Sequence, residues 1–124
     1  MTELPTSEEV TRAGPTGRCG CVVAEHDLTE DELATDIRIL GALSNDTRYE
    51  ALRLIAQAPD GVCVCELEPA LGVSQGAVSQ ALSRLYGAGL VTRRKEGRWR
   101  YYTATSEAKT VLAVLDELRG SDDA

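Results

Sequence analysis

Apolar side chains recur at helical spacing in several separate stretches of this chain, each bracketed by residues that start or stop a helix. Thr29 and Glu32 form a capping box, with Leu28 and Leu33 at the positions of a hydrophobic staple. Leu33, Ile37 and Leu40 then lie at i, i+4 and i+7 of a first helix ending near Leu43. The cluster Ser44-Asn45-Asp46-Thr47 starts a second helix with the stripe Tyr49, Leu52, Ile55 and Ala56, and Pro59-Asp60-Gly61 stops it. A short third helix is expected over about Cys65 to Leu71, closed by Gly72 as a left-handed cap. Ser74 caps the fourth, with Val73 and Val78 as its staple; Val78, Leu82 and Leu85 face inward, and Gly87 and Gly89 end it. Leu90–Arg94 and Arg98–Thr103 flank Lys95-Glu96-Gly97 and are rich in β-branched and aromatic residues, which predicts a hairpin. Thr105 or Ser106 opens a fifth helix with the stripe Ala108, Val111, Leu112, Leu115 and Leu118 and a stop at Gly120.

Residues 1–27 hold Pro5, Gly14, Pro15, Gly17 and Gly20 without any apolar period, so they read as a flexible arm. Residues 28–120 are then one folded domain and 121–124 a fraying tail. The fold class expected is mainly α with a small β-hairpin. Two short helices joined by a glycine-containing turn, then a basic hairpin, make a winged helix-turn-helix. A chain of 124 residues builds only a thin core, a limit that a dimer would relieve. There is no long apolar run and no secretion signal at the acidic start, which points to a soluble cytoplasmic protein with no membrane partner.

A formal charge of −7 looks wrong for a nucleic-acid binder until its distribution is followed. Residues 74–103 carry Arg84, Arg93, Arg94, Lys95, Arg98 and Arg100 against Glu96 alone, whereas the remainder holds 7 basic and 19 acidic side chains. One basic stretch on a repulsive body is the footprint of a DNA-facing surface. On the fourth helix Ser74, Gln75, Gly76, Ser79, Gln80, Ser83 and Arg84 are free to face outward. Glutamines pair with adenine edges in the major groove, and serines reach base edges or phosphates. Gly76 either lets the helix start approach a phosphate or is a tolerated first-turn residue. Arg93, Arg94, Lys95, Arg98 and Arg100 are the expected backbone contacts of the wing. Trp99, Tyr101 and Tyr102 are read as hairpin packing rather than base-stacking residues. An acid-rich surface with only Lys95 and Lys109 as lysines would suit a high-salt cytoplasm.

Four cysteines, Cys19, Cys21, Cys63 and Cys65, form two C-x-C pairs. In a reducing compartment such pairs serve as metal ligands or redox groups more often than as staples. Side chains at i and i+2 point together on extended chain but about 200° apart in a helix, so Cys63 and Cys65 can chelate one ion only where the chain enters the third helix. Tetrahedral soft sites want four ligands, and Cys19 and Cys21 are the obvious other two. Sulfur favours cadmium, lead, zinc, or trigonal arsenite or antimonite over magnesium or calcium. The duller alternatives are that Cys63 and Cys65 fill core space as small apolar residues and that the arm pair occurs by chance. His26 beside an acidic linker is read as a solvated residue.

The segments LGALSNDTRYEALRLI and VCVCELEPALGVSQGAVSQALSRLYGAGLVTRRKEGRWRYY, from Leu40 to Tyr102, resemble the ArsR family of metal- and metalloid-responsive repressors. They combine an Asn-Asp-Thr-Arg helix start, a C-V-C-E-L box, an S-Q-x-x-V-S reading helix and an R-K-E-G wing tip. The resemblance implies a homodimer held by the first and last helices, with Leu33, Ile37, Leu40, Val111, Leu112, Leu115 and Leu118 as its face. It also implies a palindromic double-stranded operator and inducer ligands in the C-V-C box. Arsenite-sensing members add a cysteine three residues later, where this chain has Glu68; cadmium and lead sensors bring a pair from an N-terminal arm, as Cys19-Gly20-Cys21 could. The family's histidine site on the last helix has no counterpart, since no histidine follows His26.

The function expected is therefore a repressor released from DNA by a thiophilic metal or metalloid, with no small-molecule substrate. An alternative on the same fold is a redox sensor in which oxidant couples Cys63 or Cys65 to an arm cysteine. A dithiol enzyme fits poorly, because there is no C-x-x-C, no βαβ pattern and only one isolated histidine.

Overall fold

Backbone hydrogen bonding divides residues 24–120, which the computed structural model describes, into five helices and three short strands. Helix α1 spans Glu30–Leu43, α2 Asp46–Ala56, α3 Val64–Leu71, α4 Gln75–Gly87 and α5 Ser106–Gly120. Strands β1 (Val62–Cys63), β2 (Val91–Glu96) and β3 (Trp99–Ala104) form one antiparallel sheet in the order β1-β3-β2. The arm residues 1–23, with Cys19 and Cys21, and the tail 121–124 lie outside the described residues. No helix among the described residues is long and apolar enough to cross a membrane.

The helix starts follow side-chain capping. Asn45 accepts from the Arg48 amide at 3.0 Å, and Ser74 accepts from the Ala77 amide at 3.1 Å. For α5 the cap is Thr105: its hydroxyl accepts from the Ala108 amide and donates to the Gly89 carbonyl. Arg48 has a second task, since its guanidinium donates to the carbonyls of Ala42 and Gly41 and ties the end of α1 to the start of α2. Gly72 closes α3 at φ 70°, as its position in the sequence predicts.

Two expectations change at β1. The hairpin becomes a three-stranded sheet because Val62 pairs with Tyr102 and Cys63 with Tyr101. A two-residue strand is too short to show a period of its own. Helix α3 consequently starts at Val64, one residue early, with the extended residue Cys63 as its N-cap; the Glu66 carboxylate accepts from the Cys63 amide at 3.0 Å.

The core gathers Leu52 and Ile55 of α2, Leu67 of α3, Val78, Leu82 and Leu85 of α4, and Leu90, Val91 and Tyr102 around the sheet. Ala108 and Leu112 of α5 complete it. Leu112 was expected on a dimer face but is only 5% exposed, buried by its own chain. It lies one turn from Ala108, on the inward stripe of α5, while the outward stripe runs through Val114 and Leu118. Helix α1 buries only Ala42, leaving Leu33, Ile37 and Leu40 in solvent. Between α2 and α5, Asp116 pairs with Arg53 at 2.9 Å and with Arg119. The hydrogen bond from Arg119, then that from Arg53, holds its carboxyl below the ordinary carboxylate range.

Gly61 starts the chain into β1 at φ 101°, and a Cβ there would meet Arg94, Tyr101 and Thr103 at 3.3–3.4 Å. Both backbone and space therefore require glycine. Gly61→Ala is expected to cost about 1–3 kcal/mol in chemical denaturation. Gly87→Ala, on helical backbone with no neighbour within 4 Å of the added carbon, should cost nothing or stabilise by up to about 1 kcal/mol.

Candidate nucleic-acid interface and thiol cleft

Helix α4 presents a continuous polar face because Val78, Ala81, Leu82 and Leu85 are drawn into the core. Ser79, Gln80, Ser83 and Arg84 are exposed, as are Gln75 and Gly76 at its start. Ser74 sits at the same end, with its oxygen already accepting from Ala77. An open cleft of about 400 Å³ lies between this face and the start of α2, where Asn45 and Thr47 stand opposite Gln80, Ser83 and Arg84. Asn45 and Thr47 were legible only as helix-start residues; that they share a surface with α4 depends on how α2 crosses it.

On the wing, cross-strand partners share a face. Arg93 pairs with Tyr102 and Lys95 with Arg100, while Arg94 pairs with Tyr101 and Glu96 with Trp99. The first set continues the core face of the hairpin outward, from buried Tyr102 to exposed Lys95 and Arg100. The five predicted wing cations therefore divide. Arg93 lies over the ring of Tyr86, 4.1 Å from its centroid, and so joins β2 to the end of α4. Arg94 donates to Glu96 at 2.8 Å and to the Asp60 carbonyl at 3.0 Å, and lies over Tyr101. The hydrogen bond to Glu96 raises its pKa above the ordinary arginine value. Arg94 thus braces the loop ahead of β1 as well as carrying charge. Of the aromatic residues, Tyr102 is buried, Tyr101 carries Arg94, and Trp99 is about half exposed beneath Arg98.

The cysteine pair meets the wing. Cys63 ends β1 and Cys65 lies in the first turn of α3, with Cα atoms 5.4 Å apart and the two sulfurs joined in a disulfide. Two separate thiols were expected, or an oxidised link to the arm; the bond found instead joins the pair to itself. Extended backbone at Cys63 followed directly by helix turns both side chains to one side, the geometry that i, i+2 chelation requires. Cys63 is buried and Cys65 exposed. Both line a cleft of about 380 Å³ whose other walls include Gln75 of α4 and the wing residues Lys95, Arg98 and Arg100. Among the described residues no carboxylate lines it. No cluster of three or more His, Cys, Asp or Glu among the described residues could hold a metal ion.

Comparison with known proteins agrees with this geometry. Residues 45–93 match the family model described as "Bacterial regulatory protein, arsR family". A Halobacterium salinarum protein named as an arsenical resistance operon repressor, ArsR2, is 59% identical over 103 residues, covering 83% of this chain and 87% of its own. HlyU from Vibrio cholerae is 33% identical with a TM-score of 0.64, covering 73% of this chain and 97% of that structure. A homodimeric winged helix-turn-helix DNA-binding domain from Mycobacterium bovis is 28% identical with a TM-score of 0.64, covering 81% and 95%.

Gly76 offers a test of the polar face. A Cβ there would meet only the Ser74 hydroxyl at 3.9 Å, so nothing in the free chain demands glycine. Gly76→Ala should leave the fold as stable or up to about 1 kcal/mol more stable. Duplex binding, followed by fluorescence anisotropy, should weaken by about 1.5–3 kcal/mol, the worth of a hydrogen bond to a charged group. Unchanged DNA binding would mean that no phosphate approaches this turn.

Proposed function

Because the chain belongs to the ArsR family of bacterial regulatory proteins, we propose that it is a homodimeric repressor that leaves its operator when Cys63, Cys65 and a third thiolate bind arsenite or antimonite. The observation carrying this reading is the shared cleft: Cys63 and Cys65 stand in one wall, Gln75 of the reading helix and three wing cations in the others. Whatever the two sulfurs hold therefore lies in a cleft that both parts of the DNA reader line. The arsenical resistance named for the Halobacterium salinarum relative favours a metalloid over cadmium, lead or zinc.

Reduced Cys63 and Cys65 supply two soft donors on one side of the chain. The position three residues after Cys65 is Glu68, so the third sulfur comes from Cys19 or Cys21 of the arm, whose two thiols could also complete a tetrahedral site. An inducer held by the two sulfurs shares the cleft with Gln75, Lys95, Arg98 and Arg100, the residues this reading assigns to DNA in the free protein. Allosteric couplings of this kind are worth about 1–3 kcal/mol.

Dimerisation is supported by α1 and α5. Leu33, Ile37, Leu40, Val114 and Leu118 are 41–68% exposed, and Val111 and Leu115 are half-buried beside them. A helix of 14 residues that buries one alanine is marginal alone and needs a partner surface. Two-fold symmetry then sets two α4 helices about one DNA turn apart, which calls for a palindromic operator.

Arsenite should weaken operator binding by the reduced protein about 5- to 150-fold in anisotropy titrations. Cys63→Ser and Cys65→Ser should bind the operator normally and ignore arsenite. An operator affinity that arsenite and antimonite leave unchanged would sink the reading. Ile37→Asp, which puts a charge in the apolar face, should shift sedimentation from dimer to monomer and abolish cooperative operator binding.

A further inference from the structure

The thiol cleft has a charge pattern that a metalloid does not use. Arsenous acid is uncharged near neutral pH, yet Lys95, Arg98 and Arg100 line the same cleft as the two cysteines, with no carboxylate among the described lining residues. Unlike Arg94, which is committed to Glu96 and the Asp60 carbonyl, these three line the open space itself. At about 380 Å³ the cleft falls within the roughly 300–1,000 Å³ typical of small-molecule sites. Its sulfurs also differ: Cys63 is buried, 5% exposed, whereas Cys65 faces solvent. The bond between them is the product such an arrangement would form.

We propose that the cleft is a reaction site for small carboxylate-bearing disulfides, which oxidise the Cys63/Cys65 dithiol to the bond seen here. The carboxylates of the incoming molecule pair with Lys95, Arg98 and Arg100 and set its S–S bond before Cys65. The Cys65 thiolate attacks one sulfur, forming a mixed disulfide and releasing the other half as a thiolate. Cys63 then attacks the Cys65 sulfur, forming the Cys63–Cys65 bond and releasing the second half. The dithiol loses two electrons and two protons; the small disulfide takes up both and leaves as two thiols. The exposed residue reacts first, because Cys65 offers an incoming disulfide more access than the buried Cys63. A joined pair cannot ligate a metalloid, so the ratio of small disulfide to thiol would gate the sensor. That consequence rests on the function proposed above; the exchange chemistry does not.

The charge of the whole chain makes the test discriminating. A net charge of −7 should by itself attract cationic disulfides and repel anionic ones, the opposite of what the cleft dictates. The full-length chain carrying Cys19→Ser and Cys21→Ser, reduced and metal-free, is mixed with 3,3′-dithiodipropionate or with cystamine. Oxidation is followed by mass spectrometry of quenched samples, each rate normalised to that of a free model thiol. The anionic reagent should react at least about tenfold faster at low salt, the lower end of local electrostatic enrichment. The preference should collapse in 1 M salt and in Lys95→Gln/Arg98→Gln/Arg100→Gln. Adding Cys63→Ser should trap a mixed disulfide on Cys65, whereas adding Cys65→Ser should slow reaction at least about tenfold. Equal or faster reaction with cystamine, a preference that survives removal of the three cations, or equal reactivity of the two cysteines would overturn the proposal. Charge-selective oxidation in a protein whose operator binding ignores arsenite would leave this inference standing and remove the metalloid reading; release by arsenite without charge selectivity would do the reverse.

Discussion

Two residues of backbone pairing organise the functional surface. Val62 opposite Tyr102 and Cys63 opposite Tyr101 make a strand out of what would otherwise be a linker, and so attach the start of α3 to the root of the wing. The pairing fixes the extended backbone at Cys63, and helix follows at once, which turns both cysteines to one side. It also seals the sheet edge beside the core, where Val62 and Tyr102 are buried together. Gly61 admits the chain to this register with a backbone angle and a clearance that other residues lack, and Arg94 holds the preceding loop through the Asp60 carbonyl. The cysteine pair and the wing are neighbours because of this strand.

The charges sort themselves by the same geometry. An acidic body repels nucleic acid, and the basic stretch escapes that repulsion by projecting as a hairpin. Within the hairpin the pleat separates functions that look equivalent in a run of arginines and lysine. Arg93 is stacked on Tyr86, Arg94 is spent on Glu96 and the Asp60 carbonyl, and Lys95, Arg98 and Arg100 surround the thiol cleft. Cations that could meet phosphate are thereby placed where a ligand of the cysteines would meet them too. This proximity offers a direct electrostatic route from the sulfur site to the DNA face, without requiring a long relay through the core.

The small core explains the rest of the surface. Its large apolar residues come chiefly from α2, α4 and the strands, while α1 contributes little more than Ala42 and α5 chiefly Ala108 and Leu112. The outer faces of α1 and α5 are consequently apolar and exposed, an arrangement that suits helices stabilised across a symmetric interface. The Arg53–Asp116–Arg119 cluster holds α5 to α2 with exposed ion pairs, which fix orientation more than they add stability.

How much could be read from residues alone follows from the range of the interactions involved. Helix stripes, the cap Ser74, the helix starts within residues 44–47 and at Thr105 or Ser106, the left-handed stop at Gly72 and the wing hairpin all depend on neighbours within a few positions, so they were legible in the chain. Even the placement of Cys63 and Cys65 on one side of the chain followed from spacing once the chain there was taken as extended. What the chain could not reveal was anything resting on residues far apart. The β1–β3 pairing joins positions about forty residues distant and too few in number to leave a pattern. The burial of Leu112 instead of Val114 turns on which side of α5 meets the core, and the division among Arg93, Arg94 and Lys95 turns on the pleat and on Tyr86 and Asp60. Local sequence determined the elements and their chemistry; tertiary packing alone decided which side chains those elements would bring together, because such contacts carry no period along the chain.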